Sequence, residues 1–341
     1  MIRVLVVDDI AFMRIAIRRM IDAEGDMKVV GEARTGAEAV VLARNLLPDA
    51  VTMDIEMPEM NGLDATSAIL ANVSPPPAIV MVSATTQHGA DDTIEALRRG
   101  AIDFVSKSSL FAKTDLAHIE HELRSVLRAW AGRRPVPAPP PPPPLPAAQP
   151  SGAPDLIVIG ASTGGPQALG KLLRTMGRLR PPVVVALHMP PFFTASLATM
   201  LAADTGLDVR EAVANETLAP GSIHIIPGGQ HGILVRGLSG FRLRLEPAAT
   251  EIAPSVDRLF LSAASVAATP SAVLLTGMGR DGCDGARQLR ARGAPVLVQT
   301  PAECVVAGMT EAAIADGSAS AVLPLDGLAA WLTEAAGQRT P

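Results

Sequence analysis

The chain has 341 residues, with 29 Lys and Arg against 34 Asp and Glu, and its formal net charge is −5. This balance argues against a nucleic-acid binder, which needs clustered positive charge, and an aromatic content of 3% argues against base-stacking platforms. Hydrophobic residues make up 48% of the chain, which is enough for buried cores and excludes wholesale disorder, and the length predicts two domains or one large one.

Five short apolar runs of strand type alternate with helix-like stretches in the first 130 residues. The runs are residues 4–7, 27–30, 50–53, 78–82 and 102–105, and the helix-like stretches include residues 11–23, 37–46 and 116–130. Buried strands that alternate with helices predict an α/β domain with a doubly wound parallel sheet. A functional site in such a sheet lies at the carboxyl ends of the strands.

Polar residues follow these strands at the predicted carboxyl ends. Asp8 and Asp9 end the first strand, Asp54 ends the third, Ser83 ends the fourth and Lys107 follows the fifth. Three carboxylates on one rim repel one another unless a cation lies among them, and hard oxygen ligands suit Mg²⁺. A lone Asp at a strand end is usually a turn or cap residue, but four agreeing strand ends favour a site that holds a phosphoryl group.

Four motifs in this region carry a family resemblance. They are Asp8-Asp9, residues 53–62, Ser83-Ala84 and residues 103–107, and over residues 2–128 the chain resembles the receiver domain of two-component response regulators. The resemblance implies a flavodoxin-like fold and a CheA-type histidine kinase as phosphodonor. It also implies phosphorylation of Asp54, a Mg²⁺ site formed by Asp8, Asp9, Asp54 and the Glu56 carbonyl, and a switch formed by Ser83, Phe104 and Lys107.

One position departs from the receiver pattern. Ser108 follows Lys107 where the family usually has a proline, often with a cis bond. A cis bond without proline costs about 3 kcal/mol, so a trans Lys-Ser bond is expected. We therefore expect an altered loop after the fifth strand.

Prolines concentrate in the middle of the chain. Of the 30 prolines, eleven lie between Arg133 and Pro154, including the unbroken run 139–144. Such a run supplies no backbone donors and predicts a polyproline II spacer, in preference to a ligand for a proline-binding module. The predicted organisation is a receiver domain over residues 1–130, a linker over 131–154 and a second domain over 155–341. With no long apolar stretch, we expect a cytoplasmic protein without membrane insertion.

The second domain begins with a buried-strand run, residues 156–159, that enters the glycine-rich stretch 160–166. This stretch contains G-x-S-x-G, the pattern of a nucleophile elbow centred on Ser162. It also nearly matches the dinucleotide fingerprint, but Ser162 replaces the middle glycine and no acid ends the next strand. That strand, residues 183–187, ends instead at His188, and a third strand, residues 272–275, leads to a glycine-rich loop with Asp281.

Serine, histidine and aspartate at the carboxyl ends of parallel strands converge in space, and this predicts a catalytic triad. Ser162 would attack a carbonyl, His188 would take and return the proton, and Asp281 would orient the imidazole. Backbone N–H groups around Thr163 and Met278 would stabilise the oxyanion. The order Ser, His, Asp differs from that of α/β-hydrolases, so this fold is not assigned. A non-catalytic, receiver-regulated module that binds a nucleotide or a partner at residues 160–165 stays open, but a phosphate-binding loop would need neither His188 nor Asp281.

A second resemblance covers most of residues 155–335. Its motifs are residues 159–166, 188–190, 226–231, 254–260, 275–282 and 307–309, and they are similar to those of the CheB family of protein-glutamate methylesterases. The resemblance implies a second, mainly parallel α/β domain without a cofactor, with the triad and oxyanion residues named above. It implies hydrolysis of glutamyl methyl esters on chemoreceptors, with release of methanol, and deamidation of receptor glutamines. A methylesterase paralogue outside chemotaxis stays open.

Several other residues have simpler interpretations. Thr300-Pro301 and Thr310 depart from the methylesterase pattern, and we expect them at the edge of the cleft. Cys283 is interpreted as a helix-start residue. His231 is interpreted as a turn residue in preference to a residue that lines the substrate cleft. His118 and His121, three residues apart, favour a polar helix face over a metal site.

Overall fold

The computed structural model describes residues 1–84, 86–107, 116–131, 153–248 and 253–336. These residues fall into two compact units, one before and one after the proline-rich segment. That segment, residues 132–152, lies outside the described residues. In the part of the chain that the structure describes, no helix combines the length and the apolar character needed to cross a membrane.

Within its described residues, the first unit alternates five strands with five helices. In chain order these are β1 Ile2–Val7, α1 Ala11–Asp22, β2 Met27–Ala33, α2 Gly36–Leu46, β3 Ala50–Asp54, α3 Gly62–Asn72, β4 Ala78–Ser83, α4 Gln87–Arg98, β5 Asp103–Ser106 and α5 Leu116–Ala131. The strands form one parallel sheet in the order β2-β1-β3-β4-β5. The order reverses between β1 and β3, which places a functional site at the carboxyl ends of these two strands.

Helix α1 shows how the sequence covers this sheet. Met13, Ile17 and Ile21 recur every four residues, so they share one face of the helix. All three are buried in one core with Val4 and Val6 of β1. The helix therefore packs this face on the sheet, and its exposed residues include Arg18 and Arg19 together with the apolar Phe12 and Ile15.

The second unit is built on a larger parallel sheet. In chain order its elements are β6 Leu156–Ala161, α6 Gly165–Thr175, β7 Val183–Leu187, α7 Phe193–Thr205, β8 Asp208–Glu211, β9 Ser222–Ile225, β10 Gln230–Gly237, β11 Gly240–Pro247, α8 Val256–Val266, β12 Pro270–Leu274, α9 Cys283–Ala291, β13 Val296–Gln299, a 3₁₀ turn Pro301–Glu303, α10 Gly308–Ala315, β14 Ala321–Leu323 and α11 Leu325–Ala335. The sheet order is β14-β13-β12-β6-β7-β9-β8, and all its pairs are parallel. Strands β10 and β11 form a separate antiparallel hairpin.

The two parallel sheets confirm the predicted fold class of both units. Strand β6 lies between β7 and β12, so the chain winds to one side of β6 first and to the other side later. The carboxyl ends of these three strands therefore meet at one edge of the sheet. The hairpin of β10 and β11 is not part of the prediction, and it packs against helix α8.

Candidate functional site

Three side chains of the second unit form a hydrogen-bonded chain at the carboxyl edge of its sheet. Ser162 follows β6, His188 follows β7 and Asp281 lies in the loop after β12. Ser162 Oγ lies 3.0 Å from His188 Nδ1, and His188 Nε2 lies 2.8 Å from Asp281 Oδ2. The structure thus brings together the three residues that the strand-end pattern singles out.

The partners of the imidazole define where its proton lies. An ionised carboxylate accepts hydrogen bonds only, so Nε2 of His188 carries the proton and donates it to Asp281. The other ring nitrogen, Nδ1, is then free to accept the hydroxyl proton of Ser162. In this orientation the imidazole can act as a base toward the serine.

The carboxylate of Asp281 has four hydrogen-bond donors. Its Oδ2 accepts from His188 and from the Val256 N–H, at 2.8 Å each, and its Oδ1 accepts from the Asp257 N–H at 2.8 Å and from Ser255 Oγ at 3.2 Å. Burial raises the pKa of Asp281, but the hydrogen bonds from His188 and the backbone outweigh it and bring the pKa to about 2. Asp281 is therefore ionised at neutral pH.

The turn that carries Ser162 is tied to the loop after β12. The Ser162 N–H donates to the Thr276 carbonyl at 3.0 Å, and the Thr276 hydroxyl donates to the Thr163 carbonyl at 2.9 Å. Gly164, with φ of +73°, turns the chain into helix α6. A β-carbon on Gly164 would lie 2.2 Å from the side chain of Val305, so this position has no room for a larger residue. These contacts place the serine at a tight strand-to-helix turn.

Thr163 directly follows Ser162, and Met278 lies in the loop after β12. Both residues are partly exposed. Among the hydrogen bonds of the described residues, neither amide N–H has a protein acceptor. The preceding Gly277 lies against the serine, since a β-carbon there would be 2.8 Å from Ser162 Cβ. The two N–H groups are thus available as donors near the serine.

A second group of polar residues lies at the switch point of the first unit. Carboxylate oxygens of Asp8, Asp9 and Asp54 lie within 4.8 Å of one another. Lys107 Nζ lies 2.7 Å from Asp54 Oδ2 and 3.1 Å from Asp8 Oδ2. Asp8 and Asp54 are buried, whereas Asp9 is exposed.

Burial raises the pKa of Asp54 to about 6, although the hydrogen bond from Lys107 lowers it. Three closely spaced carboxylates form a donor set that fits a hard divalent cation.

The other predicted residues of the first unit lie around this acidic group. Ser83 ends β4, and its hydroxyl donates to the Gly89 carbonyl at the start of α4, at 3.1 Å. Phe104 in β5 is buried, and Glu56 after β3 is exposed. Ser108 lies outside the described residues, so the expected change in its loop stays a prediction.

Two of the simpler interpretations are wrong in their details. His231 is buried in β10 rather than in a turn, and its Nδ1 accepts the Ser255 N–H at 3.1 Å. Thr310 is fully buried in α10, where its hydroxyl donates to the Ala307 carbonyl at 2.9 Å, so it does not line a cleft edge. The sequence does not predict these two positions, because neither a hairpin strand nor the buried side of a short helix shows a strong local pattern of apolar residues.

The interpretation of Cys283 agrees with the structure. It begins helix α9, and burial raises the pKa of its thiol to about 11. A thiol with this pKa is protonated at neutral pH and is a poor nucleophile. His118 and His121 lie in α5, and their side chains fall outside the described part of the chain.

Comparison with protein families gives one match for each unit. Residues 157–332 match the family model described as CheB methylesterase, and residues 4–118 match the model described as response regulator receiver domain. The chain belongs to the CheB methylesterase family.

Relatives within the CheB family match the chain over nearly its whole length. A protein of Thermotoga maritima named protein-glutamate methylesterase/protein-glutamine glutaminase is 40% identical over 329 residues, which cover 95% of each chain. A protein of the same name from a Nocardioides species is 41% identical and covers 95% of this chain and 92% of the relative. The solved catalytic domain of Thermotoga maritima CheB methylesterase is 36% identical, with a TM-score of 0.51, over 54% of this chain and 98% of that domain.

Proposed function

We propose that this protein is a receiver-regulated serine esterase that hydrolyses glutamyl methyl esters on chemoreceptors and deamidates receptor glutamines. The observation that carries the proposal is the continuous hydrogen-bonded chain from Ser162 through His188 to Asp281, in a member of the CheB methylesterase family. The relatives that match nearly the whole chain are named for both activities. A nucleotide-binding loop would have no use for an imidazole aligned between a hydroxyl and a carboxylate.

The geometry supports acyl transfer through a covalent intermediate. Ser162 Oγ attacks the ester carbonyl carbon while its proton passes to His188 Nδ1, and Asp281 stabilises the imidazolium that forms. The N–H groups of Thr163 and Met278 stabilise the negative charge on the tetrahedral oxygen.

The intermediate collapses by breaking the bond to the leaving group. His188 returns its proton to the leaving oxygen, so methanol departs and an acyl-enzyme remains on Ser162. Water, deprotonated by His188, then attacks the acyl-enzyme, and the bond to Ser162 Oγ breaks as His188 returns that proton to the serine oxygen. The glutamate side chain leaves as a carboxylic acid, which loses its proton to solvent. The same steps convert a glutamine side chain, with ammonia as the leaving group.

The acidic group of the first unit supports the proposal that Asp54 is the phosphoacceptor. Asp8, Asp9, Asp54 and the carbonyl of Glu56 would hold Mg²⁺, which offsets negative charge on the carboxylates and on a phosphoryl group when bound. Lys107 already pairs with Asp54 and would contact a phosphoryl oxygen. Ser83, bonded to the start of α4, and Phe104 in β5 would form the switch. A CheA-type histidine kinase is the expected phosphodonor.

The esterase assignment is tested by methanol release from methylated chemoreceptors. Ser162→Ala removes the nucleophile while the fold is kept, so we expect release to fall at least about 10³-fold. Ser265→Ala, an exposed position on α8, serves as the matched control and should retain full activity. Full activity in Ser162→Ala would overturn the assignment of the nucleophile.

The phosphoacceptor is tested with a small phosphodonor such as acetyl phosphate in the presence of Mg²⁺. Asp54→Asn removes the acceptor oxygen, so we expect methanol release to lose its stimulation by the phosphodonor. Asp64→Asn, an exposed acid at the start of α3, is the control and should keep the stimulation. Unchanged stimulation in Asp54→Asn would show that this residue does not receive the signal.

A further inference from the structure

The N-terminus of helix α8 is built around the carboxylate of Asp281. Three consecutive residues, Ser255, Val256 and Asp257, supply one hydroxyl and two backbone N–H donors to its two oxygens. These N–H groups belong to the first turn of the helix, where no intrahelical acceptor exists for them. The carboxylate therefore caps the N-terminus of the helix, and the first turn of the helix in turn orients the carboxylate toward His188.

The hairpin of β10 and β11 holds this end of the helix in place. His231 of β10 is buried, and its Nδ1 lies 3.1 Å from the Ser255 nitrogen. Because a backbone N–H only donates, Nδ1 is unprotonated and acts as the acceptor. A second contact, from the Leu234 N–H to Ser262 Oγ at 3.0 Å, joins the same strand to the next turns of α8.

We propose that Ser255 and His231 are positioning residues for the esterase reaction, acting through Asp281. The inference rests on the proposed function, because it assumes that His188 and Asp281 activate Ser162. His231 fixes the backbone of Ser255, the segment 255–257 fixes Asp281, and Asp281 fixes the ring of His188. A hairpin that lies apart from the parallel sheet thus sets the geometry of the nucleophile.

The competing explanation is a purely structural role for Ser255. Its Oγ also lies 3.3 Å from the Arg258 nitrogen, as in an ordinary helix cap, and loss of a cap costs about 1 kcal/mol of stability. A cap would act on the helix whether or not residue 281 is ionised. A positioning residue acts only while the carboxylate is present, so the two roles differ in a double-mutant cycle.

The experiment measures the rate at which a fluorophosphonate labels Ser162 in the full-length protein. This rate reports activation of the nucleophile and does not require a receptor. Ser255→Ala should slow labelling about tenfold, as expected for the loss of one hydrogen bond to a charged group. Ser255→Thr, which keeps the hydroxyl, should restore most of the rate, and Ser265→Ala on the same helix should leave it unchanged.

The decisive measurement repeats Ser255→Ala in an Asp281→Ala background, because asparagine would keep an oxygen that can accept from the Ser255 hydroxyl. We expect less than about a twofold further loss there, since the group through which Ser255 acts is gone. The variants His231→Phe and His231→Asn make a second pair, because Phe removes the acceptor for the Ser255 N–H whereas Asn supplies one. We expect His231→Asn to label several-fold faster than His231→Phe.

The possible outcomes distinguish failure of this inference from failure of the proposed function. Equal losses from Ser255→Ala in both backgrounds, or equal rates in the two His231 variants, would overturn the positioning role. Absence of labelling at Ser162 in the wild-type protein would overturn both. Labelling that follows the expected pattern, without methanol release from methylated receptors, would support the positioning role and overturn only the proposed substrate.

Discussion

Gly277 shows how little space surrounds the candidate nucleophile. A β-carbon at this position would lie 2.1 Å from Met309 Sδ and 2.8 Å from Ser162 Cβ. The backbone of Gly277 is held on both sides, since its N–H donates to the Val306 carbonyl and its carbonyl accepts the Met309 N–H. The loop therefore cannot retreat from a side chain without moving Ser162 or breaking these bonds.

At the residue scale we predict that Gly277→Ala retains the fold but loses most of its esterase activity. A displacement of the serine by about 1 Å typically costs about 100-fold in rate. Methanol release gives the activity, and circular dichroism checks the fold. Gly327→Ala, in a helix where the nearest atoms lie at 3.2 Å or more, is the control and should keep normal activity. An active Gly277→Ala enzyme would mean that this turn tolerates movement of the serine.

Helix α8 links stability to ionisation at the element scale. Its first turn donates to Asp281, and the pKa of Asp281 is about 2, below the usual value of 3.8. Because the pKa is lower in the folded state, the ionised carboxylate stabilises the fold above about pH 4, and this stabilisation is lost as the pH falls toward 2.

We therefore expect Asp281→Asn to lower the free energy of unfolding of the second unit by up to about 2 kcal/mol at pH 7. At pH 3 the difference from the wild-type protein should shrink to roughly half of that value. Urea unfolding at the two pH values measures both quantities. An exposed acid such as Asp326, on α11, gives the matched control, and Asp326→Asn should change stability by less than about 0.5 kcal/mol. A difference for Asp281→Asn that does not depend on pH would contradict the assigned ionisation.

Among the residues that the structure describes, one hydrophobic core of the first unit and one of the second share no residue. The first is formed by β-strands and helices of residues 2–130, and the second by elements of residues 156–322. Each core belongs to a complete parallel sheet with its own switch point and its own polar site. Each unit therefore has what a domain needs to fold as a separate cooperative element.

At this scale we expect two thermal transitions in calorimetry. MgCl₂ should raise only the transition of the first unit, because a ligand that binds the native acidic site stabilises that unit alone. Asp281→Asn should lower only the transition of the second unit. A single transition that both changes shift together would show that the two units unfold as one.

The strand-end residues were predictable because parallel topology is a strong constraint. In a doubly wound sheet, residues that follow different strands meet at one edge regardless of their separation in sequence. Ser162, His188 and Asp281 are thus recognisable from local patterns alone, as are Asp8 and Asp54. The parallel sheets were predictable for the same reason, since buried apolar runs alternating with helices allow few other folds.

The amino-acid sequence thus determines which side chains meet, and the tertiary structure decides how they are oriented. The tertiary structure decides which ring nitrogen of His188 faces Ser162 and which groups donate hydrogen bonds to Asp281. Both depend on distances between segments that no local sequence pattern predicts. The link from His231 to Ser255 joins a hairpin to a helix 24 residues later. Hydrogen bonds of this kind depend on positions within a few tenths of an ångström. Such positions arise only when the packed core places one element against another.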